Sequence, residues 1–105
     1  MGGKHDIYII EVAGEFRVRP AVAMVDGSTK KLNIRNLTGY AATLVFPLGF
    51  LAGDQEVFSI ASMDKKPADL MQNLDGQFQY LVVINKNGEL VPAKGESAPS
   101  VIVDL

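Results

Sequence analysis

The chain has 105 residues, a length that fits one domain with its own hydrophobic core. Its net charge of −2, without a clustered basic stripe, argues against nucleic-acid binding. The absence of cysteine excludes disulfides, thiolate metal sites and cysteine nucleophiles.

Short apolar runs rich in Val, Ile, Phe and Tyr alternate along the chain with turn signals such as Asn87-Gly88. In chain order, strands are predicted over 6–12, 15–25, 31–35, 42–46, 56–61, 77–84 and 100–104. Pro20 cannot donate a ladder hydrogen bond, so the second of these segments is predicted to be an edge strand or to break there. The pattern predicts an all-β, single-domain Greek-key β-sandwich of about seven to eight strands.

The segment 65–74 fits two kinds of element. Pro67 suits the first turn of a helix, and Leu70 and Leu74 are four residues apart. These features predict one short helical turn. A twisted strand through Leu70 and Gln72 is the alternative.

The domain organisation is simple. Residues 1–5 are predicted to be a disordered tail or a cloning remnant, and residues 6–105 the sandwich domain. No stretch approaches the roughly 20 apolar residues that cross a bilayer, so no membrane span is expected.

The inventory of reactive side chains favours a protein that is not an enzyme. His5 is the only histidine, close to the terminus, so neither a catalytic triad nor a histidine-based zinc site is expected. The closest carboxylate pairs are Glu11 with Glu15, Asp54 with Glu56, and Asp64 with Asp69. These residues lie at turns and strand ends, where solvated carboxylates are the default. No catalytic residue, metal site or cofactor is therefore predicted.

An apolar loop is the main candidate for binding. Residues 46–53 carry Leu48, Phe50 and Leu51, and Tyr40 lies in the preceding turn. One hypothesis is that the loop side chains fold back and plug one end of the sandwich. The other is that these four residues form an exposed patch that docks a protein partner or a second copy of the chain.

Three segments, LNIRNLTGYAATLVFP, DGQFQYLVV and SAPSVIVDL, together resemble the cupredoxin family. The run LNIRN-LTGYA followed by TLVFP is similar to the family's Asn-containing strand end and its following x-V-x-F-P strand. DGQFQYLVV resembles the G-x-Y-x-Y strand that leads into the copper loop, and SAPSVIVDL resembles the last strand. The resemblance extends from about Gly14 onward and implies a cupredoxin-like sandwich with a periplasmic or extracellular location.

The resemblance also implies positions for copper ligands, and the sequence departs from each of them. A first His would fall within 39–43, a Cys near Val82, a second His near Asn85 and a Met near Leu90. Val, Asn and Leu cannot build a type 1 copper centre. A non-catalytic binding or assembly module is therefore expected, and tight stoichiometric copper binding with an intense blue colour would contradict it.

Two rival hypotheses belong to other classes. The first is an immunoglobulin-like or fibronectin-like structural module of a larger secreted protein. Strand connectivity separates it from a cupredoxin-like fold, which mixes parallel and antiparallel pairing. The second is an enzyme with a small carboxylate site, which requires two carboxylates facing each other across a pocket.

Overall fold

Eleven β-strands make up the regular structure of the described residues, in a computed structural model that covers 6–26, 31–53, 55–72, 74–93 and 99–104. The strands are β1 (Asp6–Val12), β2 (Glu15–Arg19), β3 (Val22–Asp26), β4 (Lys31–Asn36), β5 (Ala41–Val45), β6 (Val57–Ile60), β7 (Lys65–Asp69), β8 (Gly76–Gln79), β9 (Leu81–Lys86), β10 (Glu89–Pro92) and β11 (Ser100–Asp104). The tail predicted over 1–5, which includes His5, lies outside the described residues. Within those ranges, no helix is long and apolar enough to cross a bilayer.

The strands form three sheets whose buried faces share one core, so that they make two facing layers. The first layer is a sheet with the order β2-β1-β4-β7. The second layer contains the sheets β10-β9-β5-β6 and β3-β11-β8. Neighbouring strands are antiparallel except for β1 with β4 and β3 with β11, which are parallel. The predicted all-β sandwich is confirmed.

Pro20 moves the chain from the first layer to the second. It has no N–H to donate, so the ladder of β2 stops at Arg19. β3 begins at Val22 and pairs with β11 in the other layer. The break predicted at Pro20 is confirmed.

At Tyr80 the chain likewise changes the strands with which it pairs, but it stays within the second layer. The predicted strand over 77–84 is divided there into β8 and β9, and the Tyr80 N–H donates to the Pro99 carbonyl at 3.0 Å. Strands β8 and β9 follow each other as one long ribbon. Along one edge of this ribbon, β8 pairs with β11 and β9 pairs with β10. The two sheets of the second layer are thus joined edge to edge.

The helical turn predicted over 65–74 is wrong, because this segment begins with strand β7. Pro67 lies opposite Asn33 on the outermost strand of the first layer, where its missing N–H breaks no internal ladder. Ala68 and Leu70 are buried and alternate with exposed residues, which is the period of a strand. Leu70 also forms an isolated antiparallel bridge with Leu51.

The strand count exceeds the predicted seven to eight for two reasons. Two predicted ribbons are each divided, at Pro20 and at Tyr80, and β7 and β10 are additional. β10 exists because Asn87 and Gly88 both have positive φ, 55° and 88°, the geometry of a tight hairpin turn. The chain therefore returns along β9 before it reaches β11.

The core lies between the two layers and follows the alternation of each strand. The first layer contributes inward side chains chiefly from β1 and β4, together with Phe16 of β2, and the second chiefly from β5, β9 and β11, together with Phe58 of β6. They include Ile7, Ile9, Leu32, Ile34, Leu44, Val82, Ile84 and Val101. Burial of these faces is the main stabilising contribution to the fold.

The Tyr80 hydroxyl is the one buried side-chain polar atom without a hydrogen-bond partner among the described residues. Tyr80 is 2% exposed and its ring stacks on Phe46, with centroids 5.0 Å apart. A buried hydroxyl without a partner costs stability. Burial also raises the pKa of the Tyr80 phenol above its ordinary value.

Replacing Tyr80 with Phe is expected to leave the chain as stable at neutral pH, or more stable by roughly 1 kcal/mol. The difference in the free energy of unfolding between the variant and the wild type should increase above pH 10. There the unfolded phenol ionises while the folded phenol stays neutral, so the wild type loses up to about 1.4 kcal/mol per pH unit from this group. Urea unfolding at several alkaline pH values measures the difference. Identical pH slopes for the two proteins would contradict it.

Candidate functional site

The structure separates the four predicted docking residues. Phe50 and Leu51 are 0% and 2% exposed, whereas Leu48 is 76% exposed. The Phe50 ring lies between Phe46 and Phe78, with centroids 5.1 Å from each. The loop therefore folds back and plugs one end of the sandwich. The expectation of a docking patch that includes Phe50 and Leu51 is wrong, because both side chains belong to the core.

Tyr40 lies at the opposite end of the sandwich from Leu48. It precedes β5, whose five residues span about 17 Å, and Leu48 follows that strand. The Tyr40 ring is half-buried and meets Phe16 edge to face, with centroids 6.0 Å apart. The Lys86 Nζ lies 5.8 Å from the same ring. The two predicted residues that keep exposed surface do not form one patch.

Asn36 organises the end of the sandwich that carries Tyr40. Its side chain is fully buried, and Nδ2 donates to the carbonyls of Tyr40 at 2.7 Å and Ala61 at 3.1 Å. Its Oδ1 accepts from the Thr38 N–H at 3.0 Å and from the Thr38 hydroxyl at 2.8 Å. These four bonds use the full capacity of an amide. They fix the turn between β4 and β5 and tie it to the end of β6.

The buried Thr38 side chain continues this network. Its oxygen lies 2.9 Å from the Tyr40 carbonyl, the second acceptor within reach of its single proton, and accepts from the Tyr40 N–H at 3.2 Å. The Ser62 hydroxyl donates to the Thr38 carbonyl at 3.0 Å. Asn36-Leu37-Thr38 also matches the glycosylation acceptor pattern. The Asn36 side-chain nitrogen, to which a glycan would be attached, is buried and hydrogen-bonded in the folded chain. The hydrogen-bond network therefore explains why Asn36 and Thr38 occur at this spacing.

Three of the positions that the resemblance assigns to copper ligands lie side by side in this fold, the fourth lies on the other face of β9, and none of the side chains fits the metal. Ala41 is paired with Asn85, and Asn85 with Leu90, across three neighbouring strands. Val82 points into the core. Methyl, amide and branched alkyl groups replace the imidazole and thiolate ligands of such a centre. In the described ranges, no three His, Cys, Asp or Glu side chains are grouped closely enough to hold a metal ion.

Neither of the two carboxylate pairs that lie wholly within the described residues forms a facing site. Glu11 is opposite Phe16 and Glu15 opposite Val12, so the two acids point to different sides of the β1–β2 hairpin. Asp64 and Asp69 lie before and at the end of β7. Asp54 lies outside the described residues, so the pair with Glu56 has no described geometry.

The second layer has an outer surface that the sequence did not single out. Ten outward residues of β5, β6, β9 and β10 form it, and we call them the apolar face. They are Ala41, Thr43, Val45, Val57, Ser59, Leu81, Val83, Asn85, Leu90 and Pro92. None of them carries a charge.

Cross-strand pairs hold the apolar face together. Leu81, Val45 and Val57 form one row, and Val83, Thr43 and Ser59 form the next. Leu90, Leu81 and Val57 are 72%, 60% and 52% exposed. Because the ten residues come from four strands, only the pairing register reveals that they are neighbours. The available sequence signal was that Leu81 and Val83 alternate along one strand.

Neither a protein-family model nor a curated protein matches this chain.

Proposed function

We propose that this chain is a non-catalytic, cupredoxin-like β-sandwich without a type 1 copper site, acting as an assembly module. The mixture of parallel and antiparallel pairing supports this over an immunoglobulin-like or fibronectin-like module. The buried Asn36 at the end of β4 also supports it, because the resemblance includes an Asn-containing strand end. A periplasmic or extracellular location belongs to the same proposal and depends on the resemblance alone.

The apolar face is the observation that carries the assembly function. An antiparallel sheet with one free face normally exposes polar and charged residues there. The outer surface of the first layer follows that rule, with Arg17, Arg19, Lys31 and Arg35 pointing outward. The apolar face instead presents Leu, Val and Pro side chains to water. A contiguous exposed apolar surface of this kind is typical of an interaction site.

A second copy of this chain is the occupant that fits the apolar face best. An uncharged surface can pair with itself about a two-fold axis without like-charge repulsion. Two such sheets can pack face to face about 10 Å apart, with their side chains interdigitating. The protein would then assemble as a symmetric dimer, and the outer polar surface of each first layer would remain in water.

The size of the apolar face limits how strong this dimer can be. Four strands are roughly 19 Å wide and β5 is roughly 17 Å long, a projected area of about 320 Å². Standard interfaces bury about 800 Å² of accessible surface on each partner. We therefore expect reversible, concentration-dependent dimers rather than a permanent complex.

Replacing Leu81 with Lys tests the proposed interface. Pairing would place the ammonium group against apolar surface, and burying an unpaired charge is strongly unfavourable. We expect the variant to remain monomeric at concentrations at which the wild type dimerises. Sedimentation velocity over a range of concentrations measures this, and circular dichroism verifies that the variant is folded.

Two matched variants make the result specific. Leu37 is 43% exposed in the turn after β4, outside the apolar face, so Leu37→Lys should dimerise like the wild type. Leu48→Lys tests the loop that the sequence pointed to and should also dimerise. If Leu48→Lys abolished association while Leu81→Lys did not, the loop would be the interface and the proposal for the apolar face would be wrong.

A further inference from the structure

A row of cationic side chains crosses the outer surface of the first layer. Arg19 is opposite Tyr8, Tyr8 is opposite Arg35, and Arg35 is opposite Lys65. We call these four residues the basic row. They come from all four strands of the layer, so adjacent members are about 4.8 Å apart and the row spans roughly 14 Å. In the sequence these three cations are far from one another, at positions 19, 35 and 65.

The three cations of the basic row have no acidic partners among the described residues. The one ion pair between described side chains joins Arg17 to Glu15, at 3.0 Å. The nearby Asp6 carboxylate accepts hydrogen bonds from the Tyr8 hydroxyl at 3.3 Å and from the Asn33 amide at 3.2 Å. Both donors are neutral, so Asp6 keeps its charge and forms no ion pair with the basic row. Arg19, Arg35 and Lys65 remain exposed in a chain whose net charge is −2.

A shallow groove gives the basic row a concave section. Asp6, Tyr8, Asn33, Arg35 and Lys65 line a cavity of about 250 Å³ between β1, β4 and β7. Half-buried Tyr8 lies in the middle of the row between two arginines. The surface therefore combines cations that have no ion-pair partner among the described residues with a concave stretch of sheet beside them.

We propose that the basic row docks an extended acidic segment of a partner protein. Alternate side chains of an extended peptide lie on one side at intervals of about 6.7 Å. Carboxylates at positions i and i+4 are therefore about 13 Å apart, which matches the span from Arg19 to Lys65. The intermediate carboxylate at i+2 falls within reach of Arg35. The proposal goes beyond assembly through the apolar face, because it uses the opposite outer surface of the sandwich.

An acidic peptide fits this surface better than a nucleic acid does. Asp6 lies in the groove and repels a closely spaced phosphate backbone. A peptide can place a neutral side chain at that point. The row also offers a single aromatic ring, whereas single-stranded nucleic acids are bound on series of aromatic platforms.

Fluorescence anisotropy with labelled peptides tests the proposal. The probe is a peptide of about nine residues with alternating Glu and Ser, and its reference is the matching Gln and Ser peptide. We expect the acidic peptide to bind the full chain and the neutral peptide not to bind. Raising the salt concentration should weaken binding, because exposed ion pairs are screened. Binding of both peptides with equal affinity would overturn the proposal.

Charge-neutral variants locate the site. The double variant Arg35→Gln and Lys65→Gln should bind the acidic peptide about tenfold more weakly. Lys86→Gln, which removes a cation at the ring of Tyr40, should bind it like the wild type. Equal loss in both variants would show non-specific attraction and would overturn the proposal. So would tighter binding of a single-stranded oligonucleotide of matched charge.

Discussion

Replacing Asn36 with Asp is expected to destabilise the folded chain by at least about 3 kcal/mol, the largest loss expected from a substitution of this size. The side chain is fully buried and donates two hydrogen bonds, to the carbonyls of Tyr40 and Ala61. A carboxylate in its place would face both carbonyl oxygens without a proton to share. The turn between β4 and β5 would lose its attachment to the end of β6.

The size of this effect can be measured by urea denaturation at neutral pH. Asn85→Asp is the matched control, because exposed Asn85 accepts a hydrogen bond from the Gly88 N–H through Oδ1, which a carboxylate can also accept. The control should change stability by less than about 0.5 kcal/mol. Lower pH should restore part of the stability of Asn36→Asp, since a neutral acid can donate one bond. Equal stability of both variants would contradict the role assigned to Asn36.

Replacing Phe50 with Ala is expected to cost about 3–5 kcal/mol. The ring has no exposed surface and packs between Phe46 and Phe78. Its removal leaves a cavity at the end of the sandwich that the surrounding aromatic rings fill only in part.

The control for Phe50→Ala comes from the same loop. Leu48→Ala removes a side chain that is 76% exposed, so its stability should lie within about 0.5 kcal/mol of the wild type. Chemical denaturation of the two variants compares them directly. A Phe50→Ala protein as stable as the wild type, but altered in self-association, would mean that the loop is an interface rather than core.

Local patterns predicted the strands well because alternation depends only on neighbouring residues. Leu32 and Ile34 point inward as expected, and the predicted strand over 15–25 is divided at Pro20 because proline has no N–H to donate. The segment over β7 was misassigned because its apolar residues are few. Pro67 is common to a first helical turn and to an edge strand, and only the pairing with β4 decides between them.

The candidate surfaces were harder to predict because they depend on which strands become neighbours. The loop over 46–53 has the same composition whether it folds inward or outward, and the space beside Phe46 and Phe78 decides the outcome for Phe50. The apolar face and the basic row each collect residues from four strands. The sequence does not show which strands pair, so it contains no signal that Leu81 and Val57 share a surface.

The mass of the wild-type chain in solution tests the central claim most directly. Sedimentation equilibrium over a wide range of concentrations should give a mass that rises from the 11.3 kDa of one chain towards twice that value. The rise should be reversible on dilution and absent from Leu81→Lys. A mass that stays at one chain throughout the range would contradict assembly through the apolar face.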